Sequence, residues 1–146
     1  MLDDLERSCN AIEECYEFML AYAAQGLPGD AGSRSGEQLR ELMRSAVKAL
    51  SGLAATYAEA VKRECLQPAE RYQSFLAVLD RDAGDALSAM ELVSAQPALS
   101  SQLIDNLNAS IHLRALLTDL FLIDEVVKLQ RMSAKPVTLD MTMDRH

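Results

Sequence analysis

Tryptophan is absent from this 146-residue chain, and only four Tyr and three Phe occur. With so few aromatic residues and no sustained two-residue alternation, no segment competes as a β-strand. Cysteine is also scarce. Cys9, Cys15 and Cys65 are odd in number and lie inside apolar helical patterns, which fits reduced, buried thiols, with Cys9 and Cys65 able to meet in the core, better than a disulfide framework. There are only two histidines, and the Glu-x-x-His pattern of ferritin-like di-iron bundles is missing, as is the Cys-x-x-Cys-His of attached haem. Neither a metal nor a cofactor is expected. The chain has no phosphate-cradling glycine loop, nucleophile elbow, Cys-x-x-Cys or His-Glu-x-x-His, so no enzyme is expected either.

Positive charge is in short supply as well: 14 Lys and Arg stand against 22 Asp and Glu, a net charge of −8. Nucleic acid and anionic membrane are therefore poor partners, because both need phosphate to be neutralised by basic side chains. No apolar run approaches the length of about 18 residues needed to span a bilayer. The opening Met1-Leu2-Asp3-Asp4-Leu5-Glu6-Arg7 is acidic, where a secretory leader needs positive charge. A cytoplasmic protein is expected.

What the chain does contain is helical periodicity. Leu2, Leu5, Cys9, Ile12, Tyr16, Met19 and Ala23 recur at spacings of three and four, which predicts a first helix with one apolar stripe. Asp3, Asp4 and Glu6 suit the positive end of its dipole, and Gly26 with Pro28 supplies a stop. Residues 27–35 are rich in Gly, Pro and Ser and read as the longest loop, of a kind that is often mobile. Ser35 and Gln38 have capping-box spacing ahead of Leu39, Met43, Ala46, Leu50, Leu53, Tyr57 and Ala60, a second helix reaching about Cys65. Pro68 fits the first turn of a third helix, whose stripe is Tyr72, Leu76, Leu79, Ala83, Ala86, Met90 and Val93. Gly52 and Gly84, inside the second and third helices, each cost about 1 kcal/mol relative to Ala and so imply a kink or a close backbone approach. Ser100 or Ser101 caps a fourth helix that ends near Gln130.

These segments predict an all-α fold, a four-helix up-down-up-down bundle forming one domain over residues 1–130. The tail, residues 131–146, contains Pro136 and loses the periodicity, so it is expected to be extended or disordered.

The fourth segment carries apolar residues on two sides. Leu113, Leu116, Leu120, Ile123 and Val127 form one stripe; Ile104, Leu107, Ile111, Ala115 and Leu122 form another roughly 180° away. One stripe faces the core and the other needs a second partner. The expectation is a homodimer through the fourth helix, with Ile104, Leu107, Ile111, Ala115 and Leu122 at the interface. Function is then expected to lie in protein contacts, as a small regulator, adaptor or assembly factor.

A polar line of Asp105, Asn108, His112 and Asp119 runs near the seam between the stripes and offers an alternative, a bundle that binds a ligand or metal around His112. Ile111-His112-Leu113-Arg114 has some character of a phosphotransfer histidine, but its Leu and its base each come one residue early. Asp80 to Glu91 has acids at the first, third and twelfth positions of a calcium loop, yet the sixth position is Asp85 instead of Gly. The helical stripe also passes straight through it, so a solvated charge run is expected.

Overall fold

The structure is a computed structural model that describes the backbone of residues 3–143 and the side chains of residues 3–133. Among these residues there are six α-helices and no strand: α1 (Asp4–Ala23), α2 (Arg34–Ser51), α3 (Leu53–Arg63), α4 (Ala69–Ser94), α5 (Ser101–Ala109) and α6 (Ile111–Met143). The all-α class is as expected, but the count of four helices is corrected to six. Gly52 interrupts the second segment, with φ −123° and ψ 13° between α2 and α3. Ser110 interrupts the fourth with extended backbone, φ −65° and ψ 144°. Its hydroxyl accepts a hydrogen bond from Leu113 N at 3.3 Å, the N-cap geometry that starts a new helix.

Short polar side chains set most of the other starts. Asp3 and Glu6 form a reciprocal capping box at α1, Ser33 accepts from Gly36 N at 2.9 Å at α2, and Ser100 accepts from Leu103 N at 3.0 Å at α5. The expected cap at Ser35 is thus corrected to Ser33. Helix α3 ends in a Schellman turn, with Leu66 N bonded to Val61 O at 3.1 Å and Cys65 N to Lys62 O at 3.2 Å. Cys65 takes the left-handed position of that turn, φ 52°, where glycine is the usual occupant.

One core gathers the helices. Helix α1 packs on α2, α5 and α3, while α4 packs on α6, α2 and α3. The stripes from Leu39 to Ala60, from Tyr72 to Val93, and from Leu113 to Val127 are buried residue for residue. In α1 the buried line is Leu5, Cys9, Ile12, Cys15, Met19 and Tyr22; after Ile12 it moves to Cys15 and Tyr22, leaving Tyr16 and Ala23 partly buried. Leu2 lies outside the described residues. Cys9 and Cys15 are buried as expected, but Cys65 is exposed, which corrects its expected burial and its expected meeting with Cys9 in the core.

The loop after α1 is pinned at many points. Arg40 of α2 donates from Nε to Asp30 at 2.5 Å and reaches Ser94 O and Gln96 O, both at 3.0 Å, at the end of α4. Asp30 also accepts from Leu99 N at 2.7 Å. Ser101 Oγ accepts from Leu27 N at 2.8 Å and donates to Tyr22 O at 2.7 Å. The Tyr22 hydroxyl donates to Leu99 O at 2.7 Å. Gly36 completes the contact, because a Cβ there would lie 2.0 Å from Asp30 O.

Helix α6 continues past the expected boundary at Gln130. Arg131, Met132 and Ser133 are helical and exposed, and the helical backbone extends to Met143 where an extended or disordered tail was expected. Residues 144–146 of that tail lie outside the described residues. Helix α4 runs unbroken through Asp80 to Glu91, so the segment is helix and not a calcium loop. No helix among the described residues is long and apolar enough to cross a membrane.

Candidate functional site

The break at Ser110 changes the fate of the residues selected from the sequence. A single helix would carry the phase from Ile104 through Leu122; extended backbone at Ser110 resets it. Ile104 and Leu107 of α5 are buried in the core, which corrects their expected place at an interface. Ile111 is 74% exposed, Leu122 54%, and Ala115 is half-buried. The proposed interface therefore shortens to the part that lies on α6.

The polar line is dispersed by the same break. Asp105 and His112 are exposed. Asn108 is buried and donates from Nδ2 to Met19 O at 3.1 Å, toward α1. Asp119 is buried beside Asp82 of α4. The structure does not bring the four together, and among the described residues no group of three His, Cys, Asp or Glu is placed to hold a metal ion.

What α6 does display is an outward row. Ile111, Ala115, Thr118, Leu122, Glu125, Leu129 and Met132 follow one another at spacings of four and three, which keeps them on one side of an α-helix. Four of the five large or aliphatic members, Ile111, Leu122, Leu129 and Met132, are more than half exposed. Phe121, 60% exposed, and Val126 flank the row on its two sides. Beside Val126 lies an apolar groove of about 320 Å³ between α4 and α6, walled by Pro68, Tyr72, Phe75, Leu122 and Val126, with Arg71 and Gln130 at its rim. The sequence reading stopped at Leu122 and missed Phe121, Val126, Leu129 and Met132. The signal was present: seven-residue spacing links Ala115, Leu122 and Leu129, and also Ile111, Thr118, Glu125 and Met132.

Two buried polar arrangements lie beneath this surface. At the α4–α6 contact, Asp119 Oδ2 has no donor, and its neighbour is the carboxyl group of Asp82. Burial, then the neighbouring Asp82 carboxyl group, push the Asp119 carboxyl up to about 7, so Asp119 takes up its proton well above the ordinary carboxylate range. Between α1, α3 and α6, Tyr57 donates to Asp124 Oδ1 at 3.0 Å and takes the Cys9 thiol at 3.5 Å. Burial pushes Cys9 up to about 11 and Cys15 up to about 12, so both remain thiols and neither is an activated nucleophile. Tyr57 is raised further, again chiefly by burial.

Gln130 closes the lower end of the groove by pairing its amide with both backbone groups of Gln67, donating to the carbonyl at 2.9 Å and accepting from the N–H at 3.4 Å. Arg131 then forms a two-point ion pair with Glu64, at 2.7 and 2.5 Å. Both contacts anchor the distal half of the outward row to the connection between α3 and α4. Comparison with protein-family models, curated proteins and solved structures finds no match for this chain.

Proposed function

We propose that this is a cytoplasmic, non-enzymatic protein that works by contact with other protein chains, as a small regulator, adaptor or assembly factor. Its working surface is the outward face of α6 with the adjoining α4–α6 groove. The observation that supports this reading is the exposed apolar row from Ile111 to Met132. Isolated exposed apolar residues are ordinary, whereas exposed apolar residues aligned along one helix face, here interspersed with Thr118 and Glu125, are the usual mark of an interaction site. Arg114 and Lys128 border the strip. The three thiols are free, and the two buried ones are held protonated, which supports a binding role over thiol chemistry.

The test is a photo-crosslinking residue placed at Leu129, and in a second protein at exposed Glu41 on α2, each expressed in the native host. A discrete protein adduct from position 129 and none from position 41 is expected. No adduct from position 129, in a protein that keeps its helical content, refutes the reading.

A further inference from the structure

We infer that the chain covering the outward face of α6 is a second copy of the same chain, lying antiparallel. This rests on the reading of that face as a contact surface and identifies its occupant. The argument is self-complementarity. Reversing the row Ile111, Ala115, Thr118, Leu122, Glu125, Leu129, Met132 about its centre sets Leu122 against Leu122, Thr118 against the partner's Glu125, Ala115 against the partner's Leu129, and Ile111 against the partner's Met132. Apolar meets apolar at the ends, small meets large in the next layer, and the two polar members meet each other, where the Thr118 hydroxyl, which donates to Arg114 O at 2.8 Å in the single chain, can turn to the Glu125 carboxylate instead. Arg114, one turn before Thr118, comes within side-chain reach of the same carboxylate.

A parallel arrangement keeps the Leu122 pair and the apolar ends but loses the Ala115–Leu129 and Thr118–Glu125 matches. It stacks Glu125 on Glu125 in the seam, where like charges repel in a partly dry setting, and it leaves a gap where Ala115 faces Ala115. Alternating spacings of four and three also specify a helix as the opposing element, since side chains so spaced insert between those of a neighbouring helix. The row spans about 32 Å of helix. Ile111, Phe121, Leu122, Val126, Leu129 and Met132 together expose on the order of 600 Å² per copy, close to the ~800 Å² that each partner contributes to a standard interface. An isologous two-fold contact of this kind closes on itself and leaves no second sticky surface.

The full chain, with Cys65→Ser to remove the exposed thiol, is studied by sedimentation from about 1 to about 200 µM. A dimer is expected, and Leu122→Asp with Leu129→Asp should raise its dissociation constant by more than about 100-fold while helical content is unchanged. Cysteine cross-linking then reads orientation without disrupting the seam. Leu122→Cys is expected to link to itself, and Thr118→Cys to link to Glu125→Cys in a mixture, with no self-linking of Glu125→Cys. Self-linking of Glu125→Cys overturns the antiparallel arrangement. A monomer throughout the concentration range overturns the second copy as occupant; an adduct from position 129 to a different protein in the host would then still uphold the contact surface itself.

Discussion

Replacing Asp119 by Asn isolates the energetics of the acid pair between α4 and α6. Asp119 is 8% exposed and faces Asp82, and its carboxyl is pushed up to about 7 by burial first and by Asp82 second. A group that holds its proton more tightly in the folded chain stabilises the fold least at high pH. Its unfavourable term is absent below the ordinary carboxylate range, grows as pH rises, and is complete above about pH 7. A carboxyl held at about 7 instead of in the ordinary carboxylate range corresponds to a ceiling of roughly 4 kcal/mol, and relaxation around the partly exposed Asp82 brings it to about 2 kcal/mol. Asp119→Asn keeps the shape, removes the charge, and supplies an N–H to the Asp82 carboxylate. Urea unfolding at about pH 8 should show the variant more stable by about 2 kcal/mol, with the advantage shrinking to under about 1 kcal/mol at about pH 5. Asp30 and Glu64 do not interfere. Arg40 and Arg131, through hydrogen bonds, hold those carboxyls below their usual range, so they titrate under this window. Glu13, raised by burial and then by Asp124 and Glu17, is common to both proteins and cancels. A variant less stable than the parent at both pH values, or one whose advantage ignores pH, refutes the reasoning.

Four further substitutions read the backbone and the core. Gly36→Ala should cost about 1–3 kcal/mol in urea unfolding, because the new Cβ meets the Asp30 backbone; Gly84→Ala, with nothing within 4 Å of the added Cβ, should instead gain up to about 1 kcal/mol. Cys65→Gly relieves the left-handed backbone at φ 52° and should raise the melting temperature, by about 1 kcal/mol of stability. Tyr57→Phe removes the donor to Asp124 and the acceptor for Cys9 and should cost about 1–2 kcal/mol by chemical denaturation, with no change in oligomeric state.

The core was legible in the sequence wherever the apolar spacing keeps one helical phase, even across Gly52 from α2 to α3. In unbroken α1, by contrast, the buried line shifts after Ile12, and Tyr16 and Ala23 were misplaced. Tyr72 to Val93 and Leu113 to Val127 were read correctly because α4 and the first half of α6 are uninterrupted, and a period of 3.6 then fixes which residues share a side. Ile104 and Leu107 were misplaced for the converse reason. Ser110 is a single residue with extended backbone, and its apolar surroundings continue the helical pattern on both sides, so spacing alone gives no sign that the phase restarts. Gly84 misled in another way: its low helix propensity suggested a close contact, yet α4 simply tolerates it in open space. The pinning of residues 27–33 was illegible, because it depends on Arg40, Leu99 and Ser101, which are distant in sequence. The Asp82–Asp119 pair was hidden for the same reason.

The polar cross-links have a directional consequence for how the molecule opens. Those at the Asp30–Arg40–Ser101 pole include buried groups, namely Tyr22, Ser101 and the nearly enclosed Asp30, and water cannot compete for them without prior unfolding. At the opposite pole the bonds of Glu64 with Arg131 and of Gln67 with Gln130 are open to solvent, where exchange with water costs little. Thermal fraying accordingly begins at the exposed pole and advances toward the sealed one. Amide hydrogens of Leu27, Leu99 and Ser101 are expected to exchange later than that of Gln67, and an early protease cut is expected between α3 and α4.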